Sequence, residues 1–142
     1  MIVLDAYALG ALLLDEPAAA EVEAMLRDDE AGISSVNLAE ALDVALRIYG
    51  LPGDRVREAL DPLLAASVAV LWPTEREAWR AAEIRSRHYH RRTNPLSLAD
   101  CLLLATVTHA DGVATADPGV ARVARDEGIH LVPLPDSSGR RP

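Results

Sequence analysis

The sequence has no lysine, no phenylalanine and a single cysteine, Cys101, in 142 residues. Without lysine there is no P-loop lysine, no Schiff-base lysine and no lysine for a phospho-receiver site. One cysteine excludes an intramolecular disulfide and makes a reducing cytoplasm the simplest compartment. Without phenylalanine, the core must be built from Leu, Val and Ala. No apolar run reaches the roughly 20 residues that a membrane span needs, and no basic segment of the kind that opens a signal peptide is seen. Positive charge is also short. Fourteen basic residues, all arginine, face 22 acidic ones, giving a formal net charge of −8. That balance argues against a passive nucleic-acid binder. It leaves room for an enzyme that gathers acids around divalent cations, because the cations reverse the local sign.

What is present reads as one globular domain, half hydrophobic and a quarter charged, long enough to bury a core. Short apolar runs at residues 1–4, 32–34, 68–71, 113–115 and 129–132 read as strands. Helices are expected over 8–14, 18–27, 36–49, 54–66 (with Asp54 as N-cap), 74–90, 97–110 and 118–127. Thr74 to Glu77 is a capping box that starts one of them. Strands alternating with helices predict an α/β domain with a parallel sheet covered on both faces. The domain is expected to span residues 1–134, followed by a polar tail, 135–142, that is expected to be disordered.

Four carboxylates stand in settings that call for an explanation. Asp5 follows the first apolar run directly and precedes another, and burying an unpaired charge costs several kcal/mol. It reads as an N-cap, and also as a site residue at the carboxyl end of a parallel strand. Glu40 shares a polar arc with Asn37, Asp43 and Arg47, opposite Leu38, Leu42, Leu46 and Tyr49. An Asp43–Arg47 pair on a solvated face is its plainer reading. Asp100 completes a Ser97–Asp100 capping box, yet its helix is apolar nearly all round and so buried. Asp117, followed by Pro118, reads as an N-cap just after a strand. If the first strand and the 113–115 strand are neighbours, these acids meet at one sheet edge. Such a crowd repels itself without cations, and oxygen-only ligation suits Mg²⁺ or Mn²⁺.

The stretches IVLDAYALGALLLDEP, SSVNLAEAL, LSLADCLLLATV and GVATADPGVARVARDEGIHLV resemble the PIN-domain family, and within it the VapC-type toxins of bacterial toxin–antitoxin pairs. The resemblance implies a three-layer α/β/α fold with strand order 3-2-1-4-5. It also implies a metal-dependent ribonuclease whose ligands and catalytic acids are Asp5, Glu40, Asp100 and Asp117. Partners implied are an RNA substrate, a cognate antitoxin whose segment lies over the active site, and a second copy in a homodimer. Relatives often carry a small polar residue where this chain has Tyr7.

Asn37 and Thr115 are candidate contacts to ligand or substrate. The arginine-rich stretch REAWRAAEIRSRHYHRR offers Arg87, Arg91 and Arg92 as candidate RNA contacts, set against a plainer role complementing a helix C-terminus. His88 and His90 lack the further ligands of a transition-metal site, His109 and His130 read as structural or exposed, and Cys101 reads as packing. A haloacid-dehalogenase-like phosphatase wants Asp-x-Asp and a lysine, which Asp5-Ala6-Tyr7 and the missing lysine do not supply. A free-standing RNA-processing nuclease and a catalytically silent binding module of the same fold remain as alternatives.

Overall fold

The structure, a computed structural model, describes residues 1–28, 31–107 and 111–142. Five strands, β1 (Ile2–Leu4), β2 (Ala31–Ser34), β3 (Val68–Leu71), β4 (Gly112–Thr115) and β5 (His130–Pro133), form one parallel sheet in the order β3-β2-β1-β4-β5. Helices α1 (Ala6–Leu14), α2 (Ala19–Asp28), α3 (Ser35–Asp43), α4 (Gly53–Ala66), α5 (Glu75–His88), α6 (Leu98–Thr106) and α7 (Pro118–Asp126) cover its two faces. The result is the three-layer α/β/α domain expected from the alternation of strands and helices.

The pleat of the sheet divides the core. Val3 pairs in register with Val113, and both side chains pack with Ile84, Leu103, Leu104 and Val123 beneath α5, α6 and α7. The next pair, Leu4 and Ala114, points the other way and packs with Leu9, Val22, Ala41 and Leu60 beneath α1 to α4. Residues one apart on a strand face opposite sides, so a short apolar run serves both cores at once. Neither face needs phenylalanine: Leu9, Leu60, Leu103 and Leu104 supply the volume. Truncating any of these to Ala would cost about 2–5 kcal/mol.

Three local readings differ from expectation. The 36–49 helix is not one α-helix: after Asp43 the chain winds as a π-turn, Val44–Ile48. The wider turn rotates everything beyond it. Leu46 and Tyr49, placed on the apolar side by an ideal wheel, are 44% and 51% exposed. Helix α4 starts at Gly53, with Pro52 at the cap position and Asp54 in its first turn rather than capping it. Helix α6 ends at Thr106, and the remainder of the expected 97–110 helix, His109 included, partly lies outside the described residues. Residues 135–142 make local and long-range contacts here. The Arg141 guanidinium donates to Glu21 at 2.7 and 3.0 Å, and Asp136 closes a turn onto Ser138 and Arg140.

Candidate active site

The sheet reverses its strand order between β1 and β4, and ligands of open α/β sheets bind at such a switch point, beyond the carboxyl ends of the strands. The candidate acids come from the segments that leave this edge. Asp5 follows β1 immediately and is only 7% exposed. Its Oδ1 accepts the Ala8 N–H at 2.7 Å, capping α1, and the Thr115 hydroxyl donates to the same carboxylate. Burial pushes the Asp5 carboxyl up to about 6. The Thr115 and Ala8 hydrogen bonds oppose that shift, while the charges of Asp117 and Asp100 add to it.

Thr115 closes β4 and is fully buried. While its hydroxyl donates to Asp5, its Oγ1 accepts the Asp117 N–H at 3.0 Å. One hydroxyl therefore ties the acid after β1 to the backbone of the acid after β4. Asp117 caps α7, its Oδ1 accepting the N–H groups of Gly119 and Val120 at 2.7 and 2.8 Å. The cap uses Oδ1, and the side chain is otherwise exposed.

Asp100 is the third residue of α6. Its N–H donates to Ser97 Oγ at 3.0 Å, and its Oδ2 accepts the Ser97 N–H at 2.8 Å, a reciprocal capping box. Desolvation raises its carboxyl above the usual range, Ser97 opposes this, and the Asp117 charge adds to it. Glu40, exposed on α3, is raised by partial burial first and then by the charges of Asp100 and Asp43. The repulsions thus run from Asp5 to Asp100 and Asp117, and from Asp100 to Glu40, placing the four acids in one electrostatic neighbourhood. The capping and site readings do not compete: the caps hold Asp5, Asp100 and Asp117 in place.

Among the described residues, no three carboxylate, imidazole or thiol groups already stand close enough to share one cation. The donor chemistry nonetheless fits a hard divalent cation. All the donors are oxygens, three are held by backbone caps, and a cation would relieve a repulsion that already shifts Asp5, Asp100 and Glu40.

The remaining candidates divide. Asn37 is buried, at 1% exposure, although the wheel put it on the polar arc. Its amide oxygen accepts the Ser34 hydroxyl, and Ser34 Oγ caps the Asn37 N–H, turning the side chain inward at the start of α3. The Asp43–Arg47 pair is present, at 2.6 and 2.8 Å. Arg87 donates to both Glu127 oxygens, and His88 meets the same carboxylate at 2.7 Å. Arg80 donates to the Val107 and Ala105 carbonyls at the end of α6, and Arg85 to Leu96 O while lying over the Tyr89 ring. Arg91 and Arg92 are exposed, and their guanidinium groups have no partner among the described residues. His90 Nδ1 accepts the backbone N–H groups of Arg92 and Thr93, so it serves the loop. Cys101 is fully buried, and burial pushes its thiol up to about 11, with the Asp100 charge adding to the effect. That is the opposite of an activated nucleophile.

Tyr7 spans α1 and the tail, its hydroxyl donating to Pro135 O at 3.0 Å. With Gly10, Glu40, Val44 and Tyr49 it lines a largely apolar cavity of about 270 Å³ beside the acids.

A doubly wound parallel sheet with the candidate acids at its switch edge, no activated thiol and no lysine defines the class: an α/β domain whose carboxyl edge carries carboxylates. The chain belongs to the PIN-domain family, whose model matches residues 2–126. PIN domains are typically nucleases and generally use divalent metal ions. A search of curated proteins finds no significant match. Among solved structures, the chain is similar to one in the crystal structure of FitAcB from Neisseria gonorrhoeae (29% identity, TM-score 0.65, 92% of this chain and 96% of that one). It shares its fold with a chain of VapBC2 from Rickettsia felis, solved bound to a promoter DNA fragment (14% identity, TM-score 0.67, 93% and 98% coverage). The same holds for VapBC-1 from nontypeable Haemophilus influenzae (20% identity, TM-score 0.64, 93% and 97% coverage).

Proposed function

We propose that this protein is a metal-dependent endoribonuclease and the toxin of a VapBC-type pair. The observation that supports the reading is that Asp5, Asp117 and Asp100 cap α1, α7 and α6 at the carboxyl edge of the sheet, where Asp117 and Asp100 add to the upward shift of Asp5 and Asp100 adds to that of Glu40. These four would hold the cation. Bound Mg²⁺ or Mn²⁺ would supply Lewis-acid polarisation of a phosphodiester and a more acidic water. Asp5 and Asp100, the more buried pair, would be its principal ligands. Glu40 and Asp117, the exposed pair, would complete the cluster, directly or through water, and position the nucleophile. Thr115 fixes the Asp5 carboxylate and the Asp117 backbone together. The acidic surface, at −8 overall, suits a basic antitoxin segment through electrostatic complementarity, and the chain works as a homodimer in the cytoplasm.

The test is expression in cells with and without the product of the neighbouring upstream gene, with cellular RNA ends mapped in each case. New RNA ends that appear with the toxin alone, and are absent for Asp5→Asn and in the co-expressing strain, support the reading. RNA ends unchanged by induction would refute it.

A further inference from the structure

We infer that Arg91, Arg92 and Arg122 form a phosphate track that holds a single strand of RNA beside the acid edge. This rests on the proposed ribonuclease reading and assigns its substrate-holding surface.

The track is built on a tight hairpin, 90–94. His90 and Asn94 exchange backbone hydrogen bonds at 3.0 and 2.9 Å, and the Asn94 side chain donates to His88 O at 2.9 Å. The hairpin is seated on the start of α7. Asn94 is 7% exposed, and a Cβ placed on Gly119 would lie 2.8 Å from Asn94 Oδ1 and 3.0 Å from Asp117 Oδ1. The hairpin and the site acid Asp117 therefore meet over a residue that leaves no room for a side chain. From α7, Arg122 reaches back and donates to Thr93 O at 3.1 Å. Arg122 thereby joins Arg91 and Arg92 on one small surface, although it lies 29 residues downstream of Thr93.

Charge argues for what this surface holds. Elsewhere on α5 the arginines are spent: Arg76 on Glu77, Arg80 on α6 carbonyls, Arg85 on Leu96 O and Arg87 on Glu127. Arg91 and Arg92 have no such partner among the described residues, and Arg122 commits one nitrogen to Thr93. A chain of net charge −8 repels a polyanion, so cations left unpaired next to Asp117 are where a phosphodiester backbone can be met. Guanidinium groups suit that task because their planar fork matches phosphate oxygens.

The experiment measures binding of a labelled single-stranded RNA in EDTA, which prevents metal-dependent cleavage, across a range of NaCl. Arg91→Ala/Arg92→Ala/Arg122→Gln is compared with wild type. The control is Arg55→Ala/Arg57→Ala on α4, which packs against the opposite face of the sheet. Each phosphate contact on a single strand contributes about 0.7 to the log–log salt slope, so losing three should flatten it by about 2. The control should retain the wild-type slope. An Arg92→Ala single variant, at an exposed residue whose guanidinium has no hydrogen-bond or ion-pair partner among the described residues, should flatten the slope by about one contact's share. It keeps the test valid if the triple variant misfolds. An unchanged slope in folded variants, equal flattening by the control, or no RNA binding by wild type overturns the track. RNA binding that flattens as stated, without cleavage in Mg²⁺, instead rejects the ribonuclease reading and leaves the track standing.

Discussion

Removing the negative charge of Asp5 should stabilise the metal-free protein at neutral pH, even though it removes a site residue. Asp5 is 7% exposed and its carboxyl is raised from 3.8 to about 6. That rise corresponds to roughly 3 kcal/mol between the ionised and protonated forms. The folded protein holds the Asp5 proton more tightly than the unfolded chain does. The stability from this group is therefore fully present below about pH 4 and is lost as pH rises through 6. Asn is about as good an N-cap as Asp, so Asp5→Asn keeps the bond from the Ala8 N–H and removes the buried charge. Asp5→Asn should raise the unfolding free energy in EDTA by up to about 3 kcal/mol at pH 7.5. The advantage should shrink to a few tenths at pH 4, where the wild-type carboxyl is itself protonated. Urea denaturation of both proteins at the two pH values measures this. Asp5→Asn less stable than wild type at pH 7.5, or an equal difference at both pH values, would refute the reasoning.

Thr115→Val keeps the shape at the end of β4 but removes the hydroxyl shared by Asp5 and Asp117. With a buried N–H and a carboxylate left short of a partner, stability should fall by about 1–3 kcal/mol, and cleavage by about 10–100-fold, measured by denaturation and single-turnover kinetics. Glu77, held down to about 2 chiefly by the Thr74 hydroxyl and N–H, contributes stability that is present above about pH 4.5 and lost as pH falls toward 2. Glu77→Ala should cost about 0.5–2 kcal/mol at pH 7 through loss of the α5 capping box. The cost should decline below pH 4 in acid-titrated denaturation curves.

The elements that depend on near neighbours were readable from the chain alone. Each of the strands overlaps a short apolar run, and the Thr74–Glu77 and Ser97–Asp100 boxes are four-residue motifs whose partners lie within reach of a sequence window. The capping positions of Asp5 and Asp117 were readable for the same reason, since each follows a strand and precedes a helix. Neighbours distant in sequence were not readable. Arg87 looks free until Glu127, 40 residues away, takes it, and Arg122 joins the hairpin through Thr93. The π-turn at Val44–Ile48 has no sequence signal in an ideal wheel, and so the wheel misplaced Leu46 and Tyr49. Asn37 looked solvent-facing because the wheel does not include the Ser34 hydroxyl that turns it inward.

RNA cleavage by the proposed acid cluster with a divalent cation is read directly in a purified system. Purified protein should be incubated with end-labelled single-stranded RNA and Mg²⁺, with EDTA, and with EDTA followed by excess Mg²⁺, alongside folded Asp100→Asn. Cleavage should appear with Mg²⁺, disappear with EDTA, return when Mg²⁺ is restored, and be absent in Asp100→Asn. Cleavage that persists in EDTA, or that Asp100→Asn performs at the wild-type rate, would rule out a metal-dependent acid site.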